Sequence, residues 1–494
     1  MPYTSWIPFA AVAVPFLVTV PIVLSSRRPN LRETWTIAAA FATVGLVVSM
    51  LPGVLDGNIP ELKLFQISPA IPFTLRADPL GLFFALISSS LWLLTSFYSI
   101  GYMRGHHEHK QTRYYASFAI TMAAAVGLAF SANLLTFLIF FEIMTFATYP
   151  LVIHRETPEA IAGGRKYLAY TMVGGLALLG ATAWTYSLVG TLDFRPGGIL
   201  TLDIPAAQHW GLFLLFCLGV GVKAGVMPFH SWLPTAMVAP TPVSALLHAV
   251  AVVKAGVFGF LRVIGFVFGT SVLLDSGAWQ VLAILASITI VVGSLLALGQ
   301  DHLKRRLAYS TISHLSYIVL GAALLGTTAW MGAVLHLAAH AIMKITLFFC
   351  AGAINVKTHR TLVSEMDGVG RQMPITMGAF ALASIGMAGL PPIIGFTSKW
   401  HLALGVTEAG YPIFMAFLLI SGLLNMAYLF PIVYRAFMIR SPHFTRFDEA
   451  SWFMVIPLAL TGIFSLVLGI VPNVPLQLFR LAATIAASVT GGGG

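Results

Sequence analysis

Five charged residues, Glu142, Lys223, Lys254, Lys344 and Lys399, fall inside long apolar runs, together with four histidines, His248, His314, His336 and His340. A charge at the centre of a membrane helix costs about 2.5–3.5 kcal/mol on insertion scales, so a chain that retains five of them points to their use. Amines, imidazoles and a carboxylate share one chemistry, the uptake and release of protons.

Spacing sorts the set. His336, His340 and Lys344 recur at i, i+4 and i+8, which places them in one stripe along a helix, about 6 Å apart, as a relay with water in its gaps requires. His248 and Lys254 are six residues apart and face directions about 120° different, so they join two compartments and do not form a stripe. His314 stands among Ser310, Thr311 and Ser313, where a relay histidine and a hydrogen-bonded structural histidine are equal readings. His230 and His401 lie at helix breaks or ends and carry no argument.

Glu142 is the only carboxylate expected inside a span. An isolated buried carboxylate takes up a proton, so it needs a cation to stay ionised, and Lys223 is the natural partner. At about 8 Å and an effective dielectric of about 20 the two would couple by about 2 kcal/mol. Withdrawing the glutamate would then let a desolvated Lys223 release its proton. A static ion pair tying two helices is the competing reading. For Lys399 the competitor is snorkelling of its long stem to the interface. Lys254, about twelve residues and so about 18 Å into its run, lies too deep for that.

The elements that must hold these groups follow from composition. Of 494 residues, 58% are apolar and 9% charged, where a globular domain carries about 25% charged residues. Apolar runs recur at 5–24, 33–52, 78–102, 113–130, 132–153, 166–190, 209–227, 242–264, 277–299, 307–326, 328–353, 373–404, 411–434 and 452–471. Each is long enough to cross a hydrocarbon core of about 30 Å. The expectation is an all-α integral membrane protein of about fourteen spans. The run from Trp6 to Leu24 has no basic residue before it and Arg27, Arg28 and Arg32 after it, an order that fits a retained first span and not a cleaved signal. Leu476 to Ile485 is apolar but too short to cross, and is expected at the interface. Gly491 to Gly494 is set aside as a tail. Cys217 and Cys350 lie far apart in apolar runs and indicate neither a disulfide framework nor a ligated cluster.

Loops between odd and even spans differ in charge. The odd loops carry Arg27, Arg28, Arg32, Arg104, Lys110, Arg113, Arg155, Arg165, Lys166, Lys304, Arg305, Arg306, Lys357, Arg360, Arg371, Arg435, Arg440 and Arg446; the even loops carry only Lys63, Arg76, Arg195 and Arg262. By the positive-inside rule this alternation supports fourteen spans in an inner (plasma) membrane, with both termini on the outer face. Two spans are interrupted by proline: the seventh, through Pro228 and Pro234 in MPFHSWLP, and the twelfth, through Pro391 and Pro392 in LPPIIGF. They lie five helices apart, an odd number, so they run in opposite directions, as inverted repeats of spans 4–8 and 9–13 require. Ordinary proline kinks are the bland alternative. The organisation expected is 1–112 (spans 1–3), 113–270 (first repeat), 271–440 (second repeat) and 441–494 (last span and tail).

Certain chemistry is missing. Sodium prefers several oxygen ligands and usually a carboxylate, so a single carboxylate argues against a sodium site within this chain, and no metal site is expected. No phosphate-binding glycine loop, dinucleotide fingerprint or cysteine cluster occurs, which leaves the chain without a cofactor, a catalytic centre or nucleic-acid chemistry of its own. Its energy must come from a partner or an ion gradient.

The stretch PFHSWLPTAMVAPTPVSALLHAVAVVKAG from Pro228 to Gly256 resembles the signature of the proton-translocating antiporter-like subunits. That family includes large membrane subunits of respiratory complex I, the A and D subunits of Mrp-type sodium/proton antiporters, and subunits of membrane-bound hydrogenases. FFEIMTFATYP around Glu142, RRLAYSTISHLSYIVLG around His314, HLAAHAIMKITLFF around Lys344 and GLPPIIGFTSKW around Lys399 extend the likeness over most of the chain. The resemblance implies two interlocked inverted five-helix bundles and a central hydrophilic axis. It implies that Glu142, Lys223 and Lys254 form the input half and connecting element, that Lys399 serves the exit half, and that His248 and the eleventh-span stripe connect them. The Trp232-Leu233-Pro234-Thr235 segment lacks the aspartate many relatives carry there, SALLHA is more like the large A-type or complex I terminal subunits, and the length fits the compact D-type. The implied assignment is a D-type component of an Mrp antiporter; the runner-up is an antiporter-like component of complex I or a membrane-bound hydrogenase. The membrane part of an inorganic-carbon uptake system and a stand-alone solute transporter follow, and a purely structural scaffold ranks last. Partners implied are other membrane subunits, lipid and protons, with Na+ at most at the level of the whole complex.

Overall fold

A computed structural model describes residues 2–68 and 71–491; Gly492 to Gly494 of the terminal glycine run lie outside the described residues. Eleven helices among the described residues are long and apolar enough to cross a membrane. In chain order the helices used below are α1 (Ile7–Leu24), α2 (Pro29–Leu55), α3 (Pro79–Gly105), α4 (Gln111–Ala129), α5 (Leu134–Val152), α6 (Pro158–Val189), α7 (Ala206–Ala224), α8 (Thr241–Ser276), α9 (Ala278–Leu298), α10 (Leu303–Ala323), α11 (Thr327–Thr358), α12 (Pro374–Ala388), α13 (Ile394–Glu408), α14 (Ile413–Met438), α15 (Trp452–Ile470) and α16 (Leu478–Thr490). A count of fourteen adds to the eleven the more polar α4 and α10 and the broken pair α12–α13.

The protein is not purely helical. β1 (Pro2–Thr4), β2 (Ile59–Ser68) and β3 (Ile71–Arg76) form a three-stranded sheet, β1 parallel and β3 antiparallel to β2. The strand signal was there in the polar and apolar alternation Glu61-Leu62-Lys63-Leu64 between Pro60 and Pro72, but a loop between two long apolar runs hides it.

Proline and glycine mark the helix ends. α2, α3, α6 and α12 each open on proline, whose missing N–H lies among the unpaired donors of the first turn. Asp78 caps α3 by accepting from Gly81 N at 2.7 Å, and Asn133 caps α5 by accepting from Thr136 N at 2.8 Å. The expected breaks are present. α7 stops at Ala224 with Gly225 left-handed, and a turn through Pro228 precedes a short helix Trp232–Thr235 that contains Pro234. α12 stops at Ala388 with Gly389 left-handed, and Pro391 and Pro392 lie in the gap before α13. The Trp232 indole donates to Val222 O at 2.8 Å, so one carbonyl freed by the first break finds a donor.

Burial locates the axis. The most apolar stretch of α11 is buried completely, whereas those of α1 and α14 are one-third buried. Outer helices expose Leu176, Leu419, Leu423 and Ile463, while serines, threonines, lysines and histidines lie inside. This inversion of a soluble protein's pattern is what lipid as solvent demands. α16 packs on the bundle: Leu478, Leu481, Ala482, Ile485, Ala486 and Val489 form one buried face against α11 and α3.

Two charges depart from expectation. Arg262 is not a loop residue; α8 runs twelve residues beyond the expected 264, and Arg262 is 1% exposed within it. It donates to Asp78 Oδ2 at 2.5 Å and Oδ1 at 2.9 Å, with Phe194, Phe258 and Phe266 around its guanidinium. Glu142 is also not alone among helix carboxylates: Glu33, in the first turns of α2, is buried and paired with Arg104.

Asp78→Ala would strand the buried Arg262 guanidinium and is expected to destabilise the protein by about 3–5 kcal/mol. Thermal unfolding in detergent checks this, and Asp78→Ala combined with Arg262→Met should recover most of the loss.

Candidate functional site

The buried amines are held by main-chain carbonyls. Lys223, in the last turn of α7, donates to Phe141 O on α5, and its ammonium sits 3.4 Å from the centroid of the Phe141 ring. Lys254 on α8 donates to Leu337 O at 3.0 Å, Lys344 on α11 to Leu307 O at 3.4 Å, and Lys399 on α13 to Met387 O at 2.7 Å and Ala388 O at 3.3 Å. For Lys399 the acceptors are the carbonyls freed at the end of α12. Its stem therefore turns inward to the helix break, and snorkelling falls away.

Glu142 and Lys223 make no ion pair among the described residues. They act on each other through space, and the lysine contacts the residue next to the glutamate. Glu142 is half-buried and its Oε1 has no hydrogen-bond partner. On one side it faces a groove of about 690 Å³ lined by Ser117, Ile120, Leu138, Phe146 and Pro150. On the other side stands Gly175 of α6, where a Cβ would come within 2.3 Å of Glu142 Oε1. Gly256 of α8 similarly admits the backbone of Lys223 and Ala224, which would stand 2.6 and 2.1 Å from a Cβ there.

From Lys254 the contacts cross between helices. Lys254 Nζ lies 2.9 Å from His340 Nδ1. While protonated it is donor-only, which places the ring proton of His340 on Nε2. The His340 ring stacks 5.7 Å from His314. His314 Nδ1 lies 3.1 Å from His336 Nε2, and His336 Nδ1 lies 2.9 Å from Ser398 Oγ on α13, one residue before Lys399. His314 thus belongs to the array. The expected stripe divides: His336 turns to Ser398, His340 to Lys254 and Lys344 to Ser310, and none of the three bonds to the next.

His248 stands apart. It occupies a π-helical turn of α8, Leu246–Val250, where it stacks on Phe348 at 4.8 Å, and neither ring nitrogen has a partner. The structure does not bring it into hydrogen-bond contact with Lys254 or the α11 residues.

A second connection runs through residues that sequence reasoning missed. Lys344 donates to Ser310 Oγ at 2.8 Å, Ser310 and the Tyr428 hydroxyl bond at 2.8 Å, and Tyr428 OH donates to Asn425 Oδ1. Asn425 Nδ2 then donates at 3.1 Å to Met387 O, the carbonyl that also holds Lys399. Tyr317, whose ring lies 4.9 Å beneath the Lys399 ammonium and 5.3 Å from the His336 ring, completes the enclosure. The available signal was weak: Asn425 and Tyr428 at i and i+3 in an otherwise apolar span. Neutral polar groups in a membrane helix cost too little to stand out as lysines do.

The family model described as NADH:quinone oxidoreductase/Mrp antiporter, transmembrane, matches residues 131–425, and that of the complex I chain 5 N-terminus matches residues 65–115. The chain belongs to this family of antiporter-like membrane subunits. It is 31% identical over 484 residues to NADH-quinone oxidoreductase subunit N of Desulforudis audaxviator, covering 94% of this chain and 96% of that one. It is 34% identical over 374 residues to the A-type Na+/H+ antiporter subunit of Alkalihalophilus pseudofirmus, covering 72% of this chain and 45% of that one. A chain of the Mrp complex from Dietzia sp. DQ12-45-1b shares the fold with a TM-score of 0.87 at 20% identity, covering 99% of this chain and 98% of that one. This antiporter-like protein is accordingly a multi-pass integral membrane protein whose matched core, 131–425, contains the four lysines and four histidines of this site.

Gly175→Val places a side chain where Glu142 Oε1 stands and should drive the carboxyl into the lateral groove. Labelling of Glu142 by an apolar carbodiimide, quantified by mass spectrometry, is expected to rise several-fold; unchanged labelling would show that Gly175 does not position it.

Proposed function

We propose that this protein moves protons across the membrane along a path from Glu142 and Lys223, through Lys254, His340, His314 and His336, to Ser398 and Lys399, as part of a multi-subunit complex. The observation that carries the reading is the carbonyl anchor shared by the four buried lysines. A carbonyl accepts a hydrogen bond from an ammonium and from a neutral amine alike, so each lysine can give up a proton and keep its place. A carboxylate partner would instead hold the proton by its charge.

The contacts assign steps. Lys254 passes a proton to His340 at 2.9 Å, and His314, His336 and Ser398 form the hydrogen-bonded segment towards Lys399. Water spans the stacked gap between His340 and His314. Glu142, free of a direct partner, tunes Lys223 from a distance. Lys344, Ser310, Tyr428 and Asn425 form a side branch to the same exit. His248, with neither ring nitrogen bonded, stands beside this path in the π-helical turn that precedes Lys254. The two prolyl breaks sit in the proposed inverted repeats, 113–270 and 271–440, within a fourteen-span chain whose basic loops favour termini on the outer face.

Within the family we place the chain among the compact members, since it spans 96% of the complex I-type subunit N and 45% of the A-type antiporter relative. The D-type Mrp component is our reading, on length and on the near-complete overlay with a chain of an Mrp complex. The subunit N-type is the second, favoured by the end-to-end match. Copurified small membrane subunits support the first, and flavin- or iron–sulfur-bearing chains the second.

Lys223→Ala and Lys399→Ala, each in the intact complex in vesicles, are expected to abolish ion transport while leaving assembly intact. Transport at the wild-type rate in either variant would overturn the proposal.

A further inference from the structure

The loop after α3 and the turn that ends α5 bring metal-ligating side chains together at one end of the bundle, away from the lysine and histidine path. Glu108, His109 and His154 offer a carboxylate oxygen and two imidazole nitrogens that all lie within 4.8 Å of one another. His154 is fully buried, and neither of its ring nitrogens has a hydrogen-bond partner. Its Nε2 faces Glu108 Oε2 at 3.8 Å. A buried imidazole with both nitrogens unsatisfied is costly, and a cation between Nε2 and the carboxylate relieves that cost at Nε2. The rings of His109 and His154 stand 5.2 Å apart, and His109 Nε2 is 3.8 Å from Glu156 Oε2, a fourth available donor.

We propose that this cluster binds a divalent transition-metal ion of the zinc class through His154 Nε2, His109 and Glu108, with Glu156 or water in the fourth position. Two imidazoles with carboxylate oxygen select such an ion over magnesium or calcium, which take oxygen ligands. Tetrahedral zinc holds ligands at about 2.0–2.2 Å, which sets the ligand atoms about 3.4 Å apart, so the cluster must contract by about 1 Å. The loop takes up that movement: His107 and Lys110, on either side of the ligands, already have positive φ, and the His109 side chain is half exposed. His154 stays fixed. Neighbouring cations oppose the ion. Arg155 bonds Glu108 at 3.4 Å, while Lys110 and Arg113 hold Glu156. Arg155 holds Oε1 of Glu108 while Oε2 faces His154, so the ion enters beside Arg155 and against its charge, which makes the site a weak and reversible one.

Its place gives occupation a consequence. Arg155 also lines, with Tyr102, Thr241 and Lys304, a cavity of about 320 Å³, and the ion would tie the loop after α3 to the end of the helix that bears Glu142. Bound zinc therefore slows transport. That half of the inference rests on the proton-transfer reading, whereas binding does not.

The test is a zinc titration by calorimetry of the purified full-length protein, stripped of metal beforehand, with Co2+ absorption to read the ligand geometry. One zinc per chain is expected, weakened about tenfold or more in His154→Ala, His109→Ala and Glu108→Gln, and unchanged in His336→Ala, which disrupts the other histidine array. His109→Ala removes a half-exposed side chain, so it stands as the variant that keeps the fold if His154→Ala does not. No stoichiometric zinc, or unaltered affinity in His109→Ala, overturns the site. Zinc inhibition of transport that persists in variants that no longer bind the ion overturns the regulatory half. Absence of any transport would indict the proton-transfer reading and leave the titration to decide the site.

Discussion

Everything at the centre of this protein follows from one constraint: a charged amine inside lipid must find an acceptor within the protein. Carboxylates could have served, and one does so for Arg262, whose bidentate contact with Asp78 joins α8 to the start of α3. The four buried lysines use carbonyls instead. The difference separates two kinds of buried charge. Arginine stays protonated in a protein, so pairing it with a carboxylate makes a fixed brace. A lysine on a carbonyl can exist in either protonation state.

A regular helix has few carbonyls to spare, because its own ladder consumes all but the last turn. Breaking a helix supplies them for Lys399, whereas Phe141 O, Leu337 O and Leu307 O lie within α5, α11 and α10 and accept a lysine on a second lone pair. At Gly389 the carbonyls of Met387 and Ala388 lose their helical partners and receive Lys399 and Asn425 instead. At Gly225 the same arrangement is met differently, with Trp232 capping Val222 O while Lys223 reaches across to α5. The π-helical turn of α8 belongs with these, since it carries His248, ends just before Lys254, and leaves Val250 O to accept from the Ser88 hydroxyl at 3.3 Å. Irregular backbone is tolerated in each case because it faces protein and not lipid.

Much of this was legible because lysine and proline are expensive in a membrane helix and so stand out in the sequence. The family, the apolar runs and both helix breaks could be read from Lys223, Lys399, Pro228 and Pro391 in context. Partners were harder, because they are remote in sequence and often are backbone atoms, which no residue type announces. Lys223 was assigned a carboxylate and bonds the neighbouring carbonyl. The i, i+4 spacing on α11 announced a shared face but not its direct partners, since side chains about 6 Å apart on one helix reach outward to α8, α10 and α13. Arg262 looked like a loop residue because hydropathy alone cannot tell the end of a span from a charge paired within it. The sheet was missed because the search for membrane spans absorbed the whole of the intervening sequence into loops.

The relation between Glu142 and Lys223 suggests why a direct ion pair is absent. Both the carbonyl that holds Lys223 and the carboxylate whose field reaches it belong to consecutive residues of α5. A displacement of that helix therefore moves acceptor and charge together, and the lysine experiences a changed field and a changed hydrogen bond in one event. A salt bridge would have bound the two helices and resisted that displacement, with a cost of several kcal/mol to separate buried opposite charges. With Gly175 giving the carboxyl room on one face and an open groove on the other, Glu142 can respond to a neighbouring surface without breaking any hydrogen bond of its Oε1. On the proton-transfer path proposed above, that freedom lets Lys223 change protonation state as α5 moves, without an ion pair first having to part.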